Sequence, residues 1–193
     1  MCIGVVLAAG ASSRFPGNKL LAKYGGRALV AWAAAAVREA LGEAYLVVGH
    51  MALEVKAAAG RVDGVVYNPW WREGLSTSVK AAVAAFAEED CILFMPGDMP
   101  LVRPDTIRKV ARCGGGIAVP TYRGARGNPV ACCRRLYGEV LTRLTGDVGL
   151  RALINAAPTY YVEVDDPGVL IDVDTPQDLQ RLQNSKDHTQ LKL

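Results

Sequence analysis

The chain has 193 residues, 51% of them hydrophobic, which suits one domain with a full core rather than two. Its 22 basic and 19 acidic residues leave a formal net charge of +3, too balanced for a nucleic-acid binder that works by general electrostatics. The opening apolar run, Val5 to Ala9, is too short to span a bilayer, and the N-terminus lacks the charged start and small-residue cleavage site of a secretory signal.

Short apolar runs then alternate with longer helical patterns. Ile3–Ala8 reads as a buried strand, Ala28–Leu41 as an alanine-rich helix and Ala44–Gly49 as a second strand. A weaker helix is expected over Ala52–Ala59, a short strand at Gly64–Tyr67, a helix over Leu75–Glu89 and a strand at Cys91–Met95. Continuous apolar strands between helices define an α/β domain: a mainly parallel central sheet with helices on both faces. Ligands of such sheets collect beyond the carboxyl ends of the strands. The loops Ala9–Lys19, Asn68–Gly74 and Pro96–Pro100 are therefore where chemistry is expected.

After Arg103 the pattern is less regular. Pro104 opens a helix, GGGIAVP and NPVACC are strands, and helices follow around Arg134–Leu144 and Gly149–Ala156. TYYVEV alternates as a strand, and TPQDLQRLQ is a terminal helix with Thr175 as N-cap. The domain is expected over residues 1–183, with a frayed polar tail over 184–193. Cys2, Cys91, Cys113, Cys132 and Cys133 are odd in number and lack C-x-x-C spacing, which points to reduced thiols in a cytoplasmic protein rather than a disulfide framework or zinc site. No membrane or nucleic-acid partner is expected.

The first loop, LAAGASSRFPGNKLL, carries neither the Rossmann fingerprint nor a Walker A sequence. Small residues at Ala8, Ala9 and Gly10 still let backbone N–H groups approach phosphate oxygens, and Arg14 and Lys19 can neutralise a polyphosphate. A glycine turn with solvated cations would look the same. In PGDMP, Asp98 follows a strand and is either a turn aspartate or a ligand for Mg²⁺ held against substrate phosphates. Asp172 and Asp174 in DVDTP stand at alternating positions, so only one is expected to face a given side of an extended segment, unless both cap or brace the last helix. Ser76, in REGLSTS, is the natural cap of its helix. His50 has no apparent acid–base partner and reads as a structural or surface residue.

Six segments, LAAGASSRFPGNKLL, NPWWREGLSTSVKAAV, FMPGDMPLV, YRGARGNPVA, LTGDVGLRALI and GVLIDVDTPQDL, cover nearly the whole chain. In that order they resemble the molybdenum cofactor nucleotidyltransferases, enzymes with a Rossmann-like nucleotidyltransferase fold. The chain departs at Ala28-Leu29, where relatives carry Pro-Leu. The resemblance implies transfer of CMP from CTP to the terminal phosphate of molybdenum-bearing molybdopterin, with release of pyrophosphate. Leu7, Ala8, Ala9, Gly10, Asn68, Gly74, Leu75, Ser76 and Thr77 would then hold the nucleotide with Arg14, Lys19 and Asp98. Those last three would be catalytic, with Mg²⁺ on Asp98 and Asp172, and Arg123, Arg126, Asn128 and Arg151 would meet the acceptor. A recipient molybdoenzyme is the further partner implied. CTP is favoured over GTP because guanylyl-transferring relatives carry a second glycine where Ala9 stands. The rivals are a guanylyltransferase for the same cofactor, a transferase acting on another phosphorylated compound, and a non-catalytic carrier of the cofactor.

Overall fold

The strand Cys2–Ala8 (β1) is apolar on both faces and is paired on both edges, so it becomes the middle of the sheet. The computed structural model describes residues 2–112 and 114–190; Met1, Cys113 and residues 191–193 lie outside it. After β1 come a small hairpin, Lys23–Tyr24 (β2) with Arg27–Ala28 (β3), and the helix Leu29–Leu41 (α1). Tyr45–Val48 (β4), Ala52–Ala59 (α2), Gly64–Tyr67 (β5), Leu75–Ala85 (α3) and Cys91–Pro96 (β6) follow. The later part adds Pro104–Val110 (α4), Ile117–Tyr122 (β7), Ala125–Arg126 (β8) and Val130–Cys133 (β9). Tyr137–Arg143 (α5), Thr159–Glu163 (β10) and Pro176–Gln190 (α6) complete it.

The eight-stranded sheet runs β10-β7-β9-β6-β1-β4-β5, with β8 paired to β7. Pairs β1·β4, β1·β6, β4·β5 and β7·β10 are parallel; β9 enters antiparallel between β6 and β7. The chain goes from β1 outward to β4 and β5, then returns to the other side of β1 with β6. That reversal opens a crevice at the carboxyl end of β1.

Alternation along the strands makes two cores. Val6, Ala8, Leu46, Leu93 and Met95 face α1, α2 and α4, while Ile3, Val5, Val47, Ile92 and Phe94 face α3 and α5. Val5, Val6, Leu46 and Leu93 are 0% exposed. Burial of each such side chain stabilises the domain by about 1.5–3 kcal/mol. A third cluster, Phe15, Tyr24, Leu29, Trp32, Val173 and Leu182, fastens the first loop and α6 to the start of α1. Among the described residues no helix is long and apolar enough to cross a membrane.

Several expectations are corrected. Cys2 and Cys91 form a disulfide in place of the reduced thiols expected. Their strands pair in register, at a Cα separation of 4.4 Å, although 89 residues separate them in sequence and no local spacing marks the pair. Residues 134–136 form a 3-10 turn before α5, and the helix expected over Gly149–Ala156 is a 3-10 turn of four residues, Leu150–Leu153. The last helix, α6, runs over Pro176–Gln190. Thr175 caps it as expected: its Oγ1 accepts from Asp178 N at 3.2 Å while the Asp178 carboxylate accepts from Thr175 N at 2.9 Å.

Asp166 anchors the segment that leads to the crevice. It is 2% exposed and accepts from Arg103 N, Thr106 Oγ1 and Gly168 N at 2.9, 2.7 and 3.0 Å. Asp166→Ala would leave three donors without their acceptor and is expected to lower unfolding free energy by about 3 kcal/mol, read from the urea midpoint at unchanged m-value.

Candidate active site

The crevice is a cleft of about 1100 Å³. Its floor is the end of β1 and the loop after it, Leu7 to Arg14, with Lys19 and Leu20. One wall is residues 71–75 with Ser78 and Val79 of α3; the other is Pro96–Asp98, Asn128 and Val130. Residues 147–152 and the pair Asp172 and Asp174 close it.

The first loop is held from both ends. Phe15 N–H donates to Ser12 C=O at 2.8 Å, and the Phe15 ring packs in the third cluster. Asn18, 5% exposed, caps the 3-10 turn Lys19–Leu21 by accepting from Leu20 N at 3.0 Å, and Leu20 is buried in the α1 core. Lys19 is thus fixed between two buried neighbours and projects into the cleft. At Gly10 an added Cβ would meet nothing within 4 Å, so this stretch of backbone faces open space, as a phosphate cradle requires.

The charges converge on Lys19. Its Nζ lies 2.5 Å from Asp98 Oδ2 and 2.6 Å from Asp174 Oδ1, and the side chain is only 16% exposed. Arg14 reaches the other Asp174 oxygen at 2.8 Å but is 68% exposed, so that pair is well screened. Burial opposes the Lys19 charge, yet Asp98 and Asp174 outweigh it and hold the ammonium above the ordinary lysine pKa. Burial pushes the Asp98 carboxyl up, Lys19 pulls it back, and the negative charge of Asp172 pushes it further. Hydrogen bonding from Lys19 holds Asp174 below the usual carboxylate range. The other Asp98 oxygen, Oδ1, is buried without a hydrogen-bond partner. A buried carboxylate oxygen left bare needs a cation or a donor.

The far wall is built differently from expectation. The helix α3 begins at Leu75 with Gly74 at its N-cap, so Ser76 lies inside the first turn, 2% exposed, and is not the cap. The free N–H groups of that turn are met from across the cleft: Leu75 N donates to Asp147 Oδ1 at 3.2 Å and Ser76 N to Gly146 C=O at 3.1 Å. Thr77 Oγ1 is engaged with the carbonyls of Gly74 and Trp70 and accepts from Asn68 Nδ2. Asn68 is fully buried and also donates to Ser78 Oγ at 3.0 Å. Asn68, Ser76 and Thr77 therefore stand behind the wall, while Gly74 and Leu75 form its face. Trp71 presses its ring against Gly49, with the His50 ring centroid 5.1 Å away and the Arg72 guanidinium 4.2 Å over it.

Of the acceptor candidates, Asn128 and Arg151 line the cleft. Arg123 and Arg126 do not; they lie over Tyr122 and Tyr161 on the β7–β8 hairpin. Both Asp172 and Asp174 line the cleft, which corrects the expectation that one would. Residues two apart in extended backbone share a side, and Val173 between them is buried the opposite way, its N–H on Asp98 C=O at 3.1 Å. Sequence reasoning also missed Asp147 and Trp71. The D-x-D spacing could have shown Asp174, but nothing local marks Asp147.

A parallel sheet reversing at β1, a glycine-bearing loop after it, and paired cations and carboxylates at that crevice are the features of a nucleotidyltransferase. Residues 4–162 match the MobA-like NTP transferase domain, and the chain belongs to that family. It is 32% identical over 115 residues to the molybdenum cofactor cytidylyltransferase of Escherichia coli K12, covering 59% of each chain, so the match spans less than two thirds of that relative. It is 26% identical to a probable molybdenum cofactor guanylyltransferase of Bacillus licheniformis, over 94% of this chain and 96% of that one. A nucleotidyl transferase structure from Methanothermobacter superposes with a TM-score of 0.85 at 29% identity, covering 98% and 99%.

Gly74 is where the first wall meets the turn at Gly146 and Asp147 that leads into the closing segment. With φ at 108°, it has no room for a Cβ, which would strike the backbone of Gly146. Gly74→Ala is expected to push the wall away from the Gly146 turn, lowering stability by about 2 kcal/mol and raising the KM for nucleotide more than it lowers kcat. Thermal melting and steady-state kinetics on one preparation check both.

Proposed function

We propose that this nucleotidyltransferase moves CMP from CTP to the terminal phosphate of a molybdopterin-type acceptor. One observation carries the reading: the buried Asp98 oxygen without a partner, next to Asp172 and Lys19 at the mouth of β1. Among the described residues no group of three or more His, Cys, Asp or Glu could hold a metal by itself. Mg²⁺ does not need one, since it keeps waters and takes one or two carboxylates together with substrate phosphates. Asp98 and Asp172 fit that requirement. Bound there, Mg²⁺ would supply charge neutralisation at the α-phosphate.

The chain's own groups would do the rest. Backbone from Ala8 to Gly10 cradles the phosphates, and Arg14 and Lys19 stabilise the charge that builds on pyrophosphate as it leaves. Asn128 and Arg151, across the cleft, orient the acceptor phosphate for in-line attack. That phosphate is already an anion near neutral pH, so attack needs no general base. Positioning and charge neutralisation are what such transfers require. The base lies against Gly74 and Leu75, and its edge is read by backbone there and around Ala9, with Asn68, Ser76 and Thr77 holding the wall. The pairing of Lys19 and Arg14 with carboxylates at a triphosphate-sized cleft counts against a mere cofactor carrier.

Asp98→Asn tests the metal assignment. Turnover is expected to fall by roughly 10²-fold or more while the melting temperature holds or rises. Near-normal Mg²⁺-dependent turnover in that variant would sink the assignment.

The guanylyl reading is kept because the Bacillus licheniformis relative aligns with almost the whole chain. The series CTP, GTP, ATP and UTP with one molybdopterin acceptor separates the two. CTP is expected to lead in kcat/KM by on the order of 10²-fold, the consequence of two mismatched buried hydrogen bonds for the wrong base. A lead for GTP would reassign the nucleotide and leave the fold and the metal site standing.

A further inference from the structure

The strand β5 ends the sheet on one side: β4 pairs with one of its edges and, among the described residues, no strand pairs with the other. Asn68 N–H donates to Val48 C=O, so by alternation Val66 turns its N–H and C=O toward β4, and Val65 and Tyr67 turn theirs away from it. Val66 packs into the core beside α3, which puts the Val65 and Tyr67 side chains on the opposite face. Val65 is exposed, Tyr67 is 60% exposed, and Trp70, just past the strand, is 61% exposed. Apolar side chains and open backbone groups thus coincide at the same two residues. Neither these two nor Trp70 lines the cleft.

An open strand edge is normally guarded by a charge, a proline or a bulge. The opposite end of the sheet is guarded: β10 carries Glu163, and the Arg126 guanidinium lies 5.0 Å from the ring of Tyr161. The sequence of β5, Gly-Val-Val-Tyr, has no such device. A second copy of the same edge is the partner that fits it. Turned antiparallel about a two-fold axis at Val66, Val65 of one copy stands opposite Tyr67 of the other, and each such pair exchanges both of its N–H···O bonds. The side chains that meet are aromatic on β-branched, a favourable cross-strand contact. The flanks agree as well. Arg61 precedes the strand and Glu73 follows it, both exposed and neither in a salt bridge among the described residues. Antiparallel pairing brings the Arg61 end of one copy to the Glu73 end of the other.

We propose that the chain forms a two-fold dimer through β5, with Val65 facing Tyr67 across the axis and the two sheets joined into one. Such an interface is isologous and closes at two copies. Its area is set by one short strand and the aromatic residue beside it, which places it at the small end of specific interfaces.

The test is sedimentation velocity of the full chain over roughly 1–500 μM, a range suited to a small interface. The wild-type chain should pass from monomer to dimer and grow no further. Val65→Pro removes an outward N–H and no bond to β4, and should weaken the dimer at least about tenfold. Two double variants check the register. Val65→Lys with Tyr67→Lys sets lysine opposite lysine, whereas Val65→Lys with Tyr67→Glu sets lysine opposite glutamate. The second should dimerise at least about tenfold more tightly than the first. This pair also carries the test if the proline variant folds poorly. A wild-type chain that stays monomeric throughout overturns the proposal, as does one that grows past the dimer by joining β5 to β10. Equal association of the two double variants, or a dimer that Val65→Pro leaves intact in a folded chain, puts the interface elsewhere, and the proposal falls.

Discussion

The cleft depends on β1 being covered on both faces and paired on both edges. Ile3, Val5, Val6 and Ala8 are all nearly inaccessible, so β1 offers the ligand little side chain beyond Leu7 at its end. What β1 offers is its end, where the chain must leave the sheet between β4 and β6. Two hydrogen bonds keep that exit narrow: His50 N–H to Ala9 C=O, and Gly97 N–H to Leu7 C=O, both at 3.0 Å. The first loop, the loop after β4 and the loop after β6 are thus fixed to one another before any charge is considered. Apolar packing sets where the polar chemistry can be.

On that frame the site is an electrostatic balance rather than a set of reactive groups. Three carboxylates, Asp98, Asp172 and Asp174, face two cations, Arg14 and Lys19. Burial disfavours charge on both Asp98 and Lys19, and each favours the charged form of the other. The arrangement carries an excess of negative charge in a place only partly open to water. Such a site attracts a divalent cation, and through it a polyphosphate that the carboxylates alone would repel.

The parts legible in the sequence were those with a period or a local signature. The order of strands and helices through β6 follows from apolar runs alternating with helical patterns, and the T-x-x-D cap of α6 from its spacing. The cation loop and Asp98 were found because strand ends collect ligands in this architecture. What stayed hidden depends on long-range register or on loop-to-loop contact. Cys2 and Cys91 become neighbours only through strand pairing, and Asp147 meets Leu75 only because a distant turn docks on α3. Ser76 looked like a cap because serine at a helix start usually is one, but Gly146 and Asp147 already fill that role. The β2–β3 hairpin has two residues per strand and carries too little pattern to be read.

The partners of Lys19 differ greatly in when they are made. Asp174 is 155 positions further along the chain. At ribosomal speeds of about 5–20 residues per second, roughly 8–30 s pass between the synthesis of the two. During that interval the nascent sheet can already assemble β1, β4, β5 and β6, and Lys19 has Asp98 as its sole counter-ion of the pair. The strands that carry the crevice therefore exist before the crevice can be closed. A fragment that ends short of Val173 would keep the central strands yet lose the tie to the Asp98 carbonyl, the plug of the third cluster and the anchor of α6. The cleft belongs to the finished chain, and premature termination removes the site before it removes the sheet.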